Sequence, residues 1–212
     1  MAVAAPEIRD VILRDGSTLR LRPPRTGDAE AVLEFFGRLS EQSVYWRFHG
    51  FPSLTHATVE PFLEPDWEER GSLVGALSDG GAERIVALAS FVRLRDPAAA
   101  EVAFTVADEL QGNGLGHLLI RELKAHAARR GITRFVFDVL AANDAALAVA
   151  RSLGAHLQRD GATIEGTIYI ESGAETPSRS SERARVRRVA THRPIRKDSR
   201  RLGSAPTTLQ SR

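Results

Sequence analysis

The sequence contains no cysteine. That absence excludes disulfides, thiolate nucleophiles and cysteine-ligated metal sites, and nothing else in the chain demands an oxidising compartment. Lysine is nearly absent too, with Lys124 and Lys197 the only two residues of that type, a bias that reads as base composition more than mechanism. No apolar run reaches the 18 residues a membrane helix needs, and the opening MAVAAPEIRD has neither the basic nor the apolar region of a signal peptide. A cytoplasmic location is therefore expected. What remains is ordinary for a soluble globular protein: 42% hydrophobic and 26% charged residues in a chain of 212. One domain with about forty residues to spare is the expectation.

The formal net charge of +2 joins two opposite parts. Residues 174–212 hold 11 Arg and Lys against Glu175, Glu182 and Asp198, so the rest of the chain is net negative. The basic stretch has no Phe, Trp or Tyr and is rich in Ser, Thr, Pro and Arg. It cannot bury enough apolar surface to offset chain entropy. The expected organisation is a flexible N-terminus over 1–7, a folded domain over 8–172 and a disordered basic tail over 173–212. Such a tail could hold phosphates of a nucleic acid or another anionic surface, but it lacks aromatics for base stacking; it reads first as a solvated appendage.

Within the domain, 8–22 predicts a hairpin turned at Asp15-Gly16. Thr26 or Asp28 is placed to cap a helix carrying Ala29, Val32, Leu33, Phe36 and Leu39. The aromatic segment Val44–Phe51 and the stretch from Thr55 to Leu63 predict two more helices. Three β-rich runs follow, 72–78, 84–94 and 101–107, separated by turn residues as in an antiparallel meander. A helix from Gly114 to Gly131 leads to a strand at 134–140, Asn143 caps a helix through Leu153, and strands near 155–160 and 163–171 end the domain. The strand-helix-strand unit over 101–140 requires one parallel pair. The fold class expected is α/β (α+β), a mixed and mostly antiparallel sheet of about seven strands flanked by helices.

The loop Gln111-Gly-Asn-Gly-Leu-Gly116 sets three glycines at the mouth of a helix. Glycines let a backbone turn sharply and approach a ligand closely, and the free N–H groups and dipole of a first helical turn favour an anion such as a diphosphate. A plain strand-to-helix connector is the alternative that the glycines alone leave open. No Gly-Lys-Ser/Thr follows, and the repeated units of a dinucleotide-binding domain are missing.

Gln111-x-x-Gly114-x-Gly116 after a strand ending in Val106-Ala107-Asp108 resembles the Gln/Arg-x-x-Gly-x-Gly/Ala signature of the GNAT superfamily of acetyl-CoA-dependent N-acyltransferases. Three further segments resemble the bacterial Pat-type protein lysine acetyltransferases: Leu13-Arg-Asp-Gly-Ser-Thr-Leu-Arg-Leu-Arg-Pro, Leu39-Ser-Glu-Gln-Ser-Val-Tyr-Trp-Arg-Phe and Ala100-Glu-Val-Ala-Phe-Thr-Val-Ala-Asp. The likeness covers about 8–171, and control by a fused regulatory or acyl-CoA-synthetase-like module is not expected.

The resemblance implies a GNAT-like fold with its parallel pair at the cofactor cleft, and transfer of an acetyl or other short acyl group from acetyl-CoA, without a metal, to the side-chain amine of a protein lysine. Acyl-CoA synthetases are a plausible acceptor class. It places the pyrophosphate on Gln111, Gly112, Asn113, Gly114, Leu115 and Gly116, with His117 near enough to touch a phosphate, although His117 reads first as a solvated first-turn residue. It lays the pantetheine arm along Phe104, Thr105 and Val106, pairing with main-chain groups at Phe104 and Val106, and adds Asn143 to the set that holds the arm. The acceptor is expected from the side of Tyr45–Phe51. A lysine with a reference pKa of about 10.4 is neutral at pH 7 in about one molecule in 2,500, a handicap of about 4.6 kcal/mol, so a base is useful. Glu101 matches the family's base position. An ordinary glutamate is a poor base, so the role requires partial burial or relay through water, and the residue type alone reads as an exposed carboxylate at a strand start. The tyrosine that often protonates the departing thiolate, four residues before the helix-ending glycine, is here Ala150. A small-molecule amine acetyltransferase and a non-catalytic acyl-CoA sensor are the competing readings.

Overall fold

A computed structural model describes residues 7–13, 15–79 and 82–171. The expected basic tail, and most of the expected flexible N-terminus, lie outside the described residues. Gly16 takes φ +86° at the first turn, where β1 (Arg9–Ile12) folds back antiparallel on β2 (Thr18–Arg22). Helix α1 (Ala29–Gly37) follows, burying Val32, Phe35 and Phe36. Asp28 stands at its N-cap position but does not cap it with its side chain as expected. Instead the carboxylate accepts from the Arg25 N–H and from both ends of the Arg22 guanidinium, at 2.6 and 2.9 Å. A buried charge needs an opposite one more than an open helix end needs a cap.

Helices α2 (Glu41–Phe48) and α3 (His56–Val59) come next, and α2 is capped by Ser40, whose hydroxyl accepts from the Ser43 N–H. Strands β3 (Arg70–Asp79), β4 (Ala82–Arg93) and β5 (Ala99–Val106) form the antiparallel meander. From Ile85 to Phe91 every residue of β4 is buried. A strand apolar on both sides has to be covered on both faces, and the helices supply that cover. Helix α4 (Leu115–Ala128) buries Leu115, Leu119, Ile120 and Leu123, and returns the chain to β6 (Arg134–Leu140). Helix α5 (Asp144–Ser152) and the hairpin of β7 (His156–Asp160) and β8 (Thr163–Tyr169) complete the fold.

Among the described residues all strands lie in one eight-stranded sheet, ordered β1-β2-β3-β4-β5-β6-β8-β7, one strand more than the number expected. Every pairing is antiparallel except that of β5 with β6. That parallel pair spans only Ala99↔Arg134, Ala100↔Phe135 and Glu101↔Val136. Beyond Glu101 the two strands separate, and the gap between them positions the site. Among the described residues no helix is long and apolar enough to cross a membrane.

Candidate functional site

The split of β5 from β6 leaves β5 with one bonded neighbour over 102–106. The Ala107 N–H donates to the Val86 carbonyl of β4 at 2.8 Å, so by alternation the main-chain groups of Phe104 and Val106 face the gap. An extended ligand can add there as a strand. Gln111 already uses one of these groups, donating its side-chain amide to the Val106 carbonyl at 3.2 Å.

At the far end of β5 each loop glycine has its own reason. Gly112 and Gly114 sit at φ +77° and +82°, conformations that a side chain resists. Gly116 is needed for space: a Cβ there would stand 2.6 Å from the Phe104 ring. The loop thus delivers the first turn of α4, with its unpaired N–H groups, against β5.

The loop is also tied to α2. The Asp108 carboxylate accepts from the Ser40 N–H at 2.8 Å, the Ser40 hydroxyl at 2.9 Å, the Ser43 hydroxyl at 2.5 Å and the Gln111 side-chain amide at 3.2 Å. Burial alone would raise this carboxyl, but the serine hydrogen bonds outweigh it and hold Asp108 below its usual range. The Gln111 side chain is therefore part of the loop's anchorage. Asn113 turns its side chain back on the carbonyl of Leu110 and does not line the cleft.

Two neighbouring cavities occupy the gap. The first, about 340 Å³, runs from Gln111, Gly112, Gly114, Leu115, Gly116 and His117 past Thr105 and Val106. The second, about 280 Å³, holds Glu101, Asp138 and His49, with Val102, Ile120 and Ala150 among its apolar walls. Trp46, Arg47, Phe104, Asn143, Ala146 and Val149 line both, and this shared boundary is the neck referred to below. Asn143 is held there by its own cap, its side-chain oxygen accepting from the Ala146 N–H at 3.0 Å.

His117 is half-buried and lines the cleft wall, not the solvent side of α4. Its Nδ1 lies 3.0 Å from the Ser152 hydroxyl, and that hydroxyl donates its one proton to the Val149 carbonyl at 2.7 Å. Nδ1 must therefore carry a proton and donate, which leaves Nε2 for a ligand.

Glu101 opens into the second cavity but is exposed, so the partial burial that a direct base requires is absent. Asp138, whose spacing identified no role, puts a second carboxylate in the same cavity. Neither of the two tyrosines lines either cavity, and the position of the expected proton donor is filled by the buried methyl of Ala150.

Sequence reasoning assigned no role to Arg47. Its guanidinium carbon lies 5.3 Å from the Phe48 ring centre and 5.4 Å from that of Phe62, and its Nε is buried without a hydrogen-bond partner. Burial lowers its pKa to about 10 against the opposing pull of Glu101, so it stays a cation at neutral pH. Thr105 Oγ1 is likewise buried and unpartnered in the wall of the first cavity. Two orphaned polar atoms in one gap point to a polar ligand there. Among the described residues no cluster could hold a metal ion.

A helix mouth for an anion, a free strand edge for an extended arm and a chamber with two carboxylates thus follow one another along one gap. Comparison with known proteins agrees. The Acetyltransferase (GNAT) family matches residues 41–155. Acetyltransferase Pat of Mycolicibacterium smegmatis is 36% identical over 146 residues, 68% of this chain and 43% of that protein. Acetyltransferase PA5475 of Pseudomonas aeruginosa is 30% identical over 149 residues, 70% of this chain and 80% of that protein. The GNAT domain of S. lividans PAT superposes with a TM-score of 0.69 at 32% identity, over 76% of this chain and 96% of that one. The chain spans less than half of the Mycolicibacterium relative. It belongs to the GNAT family of acetyltransferases.

Proposed function

We propose that this protein transfers an acetyl group from acetyl-CoA to the side-chain amine of protein lysines, with AMP-forming acyl-CoA synthetases as the first acceptor class to test. The observation that carries this reading is the pair of neighbouring cavities that share a boundary at Arg47, Phe104 and Asn143. Acetyl-CoA lies with its pyrophosphate on the amides of 112–117 and its pantetheine along Phe104 and Val106. The thioester then reaches the neck, and the amine comes from the chamber of Glu101 and Asp138. Those carboxylates attract the cationic form of a lysine, and Glu101 takes its proton through a water, as its exposure requires. The amine forms a C–N bond as the C–S bond breaks.

A protein acceptor is supported by the surface beside the chamber. Trp46, Arg47, Phe48 and His49 line it, while the adjacent Tyr45 and Phe51 are 39% and 68% exposed with ring centres 5.6 Å apart. Aromatic pairs exposed at a site mouth suit protein contacts. The test is release of CoA thiol from acetyl-CoA with an AMP-forming acyl-CoA synthetase, beside a no-acceptor control and matched free amines. Release that depends on the protein and labels one of its lysines is the expected result. Release with free amines alone would replace this reading with a small-molecule acetyltransferase; tight acetyl-CoA binding without any release would make the protein an acyl-CoA sensor.

A further inference from the structure

A buried nitrogen of a cation that finds no hydrogen-bond partner asks for a cause. Arg47 stands in the neck between the two cavities, its Nε is buried with no partner, and the aromatic rings of Phe48 and Phe62 compensate it only in part. The other titratable groups lining the cavities are Glu101 on β5, Asp138 on β6, His49 at the end of α2 and His117 on α4. Among the described residues that line the cavities, Arg47 is the one permanent cation. The neck is also where the acyl donor's thioester lies under the reading proposed above, on which this inference rests. The proton donor expected at position 150 is absent.

We propose that Arg47 is a catalytic residue that donates to the sulfur of CoA as the C–S bond breaks and holds the departing thiolate. Attack by the amine nitrogen forms the C–N bond, and the electron pair of the C–S bond passes to sulfur. The proton lost by the amine goes to Glu101 through water, and no proton is needed at sulfur until CoA leaves. A guanidinium placed in advance stabilises that charge without reorganising, whereas a tyrosine would have to give up its proton.

The experiment follows the thiol of bound CoA by the ultraviolet absorbance of its thiolate as pH is raised, in the wild-type protein, Arg47→Met and Arg47→Lys, with CoA binding measured by calorimetry. In the wild type, the bound thiol is expected to ionise about 1 to 3 pH units below the thiol of free CoA, as for a group beside an opposite charge. Arg47→Met loses that shift, and Arg47→Lys retains part of it. Turnover of Arg47→Met falls about 10²–10³-fold, as on removal of one donor from an oxyanion site, with a small change in KM for acetyl-CoA. A merely structural arginine predicts a lower melting temperature in Arg47→Met and an unshifted thiol. Should Arg47→Met fail to fold, the wild type against free CoA still decides: bound CoA with an unshifted thiol overturns the inference while leaving the acetyltransferase reading intact. Failure of the wild type to bind CoA overturns both.

Discussion

Gly116 has no unusual backbone angle, and its value lies in what its missing side chain leaves room for. An Ala Cβ would press on the Phe104 ring at 2.6 Å, and Phe104 can yield only by moving its ring in the neck shared by the two cavities. Overpacking of this kind costs about 1–3 kcal/mol. Because Phe104 is only partly buried, most of that cost should fall on the ligand and not on folding. Gly116→Ala is expected to weaken acetyl-CoA binding at least about tenfold, read by calorimetry, with little change in melting temperature. Glu101 supplies the opposite test. Glu101→Gln keeps the shape of the chamber and removes the base, so kcat should fall about 10²–10⁴-fold at unchanged KM for acetyl-CoA. Full activity in that variant would transfer the role to Asp138 or to water alone.

At the scale of elements, Asp108 couples α2 to the glycine loop, and that coupling sets Arg47 and the first turn of α4 in register across the cleft. Asp108→Ala leaves two serine hydroxyls and the Ser40 N–H without their acceptor at once, while the Gln111 amide keeps the Val106 carbonyl. About 1–3 kcal/mol of stability should be lost in urea unfolding, and KM for acetyl-CoA should rise more than kcat falls. The elements themselves were largely legible. The run 134–140 predicts β6 to the residue, Asn143 predicts the cap of α5, and the triple glycine predicts the mouth of α4, because each signal is local. The Asp108 hub was not legible: its partner Ser43 lies 65 residues away in the chain. Arg47 escaped for a related reason. In the string Tyr-Trp-Arg-Phe an arginine reads as the solvated edge of a helix, and only the packing of Phe48 and Phe62 against it shows a half-buried cation with its Nε enclosed. Asp28 misled because the sequence cannot announce that a strand arginine needs it more than the helix does.

For the molecule as a whole, the Arg22 cluster fastens β2, the entry to α1 and the start of β4 to one another. Arg22 is 3% exposed, and it donates to Asp28 at 2.6 and 2.9 Å and to Glu83 at 2.8 and 3.0 Å. Burial works against the ionised Asp28 carboxyl, but the hydrogen bonds from Arg22 and the Arg25 N–H more than offset it and leave Asp28 below its ordinary range. The Arg22 hydrogen bonds lower Glu83 likewise. Both carboxyls thus bind protons less readily folded than unfolded, where their pKa values are about 3.9 and 4.3. Their contribution to stability is complete above those values and is lost as the pH falls through the lower folded ones. Asp28→Ala leaves a buried guanidinium with Glu83 and the Pro23 carbonyl, at a cost of about 3 kcal/mol at neutral pH. The same variant should lose less stability than the wild type between neutral pH and about pH 3, since one of the groups that must be protonated is gone. None of these three residues lines either cavity, so turnover at a temperature where both proteins are folded should be unchanged. Urea unfolding at the two pH values, with activity measured alongside, checks all three statements. Equal acid losses in both proteins would show that the cluster does not carry the pH dependence.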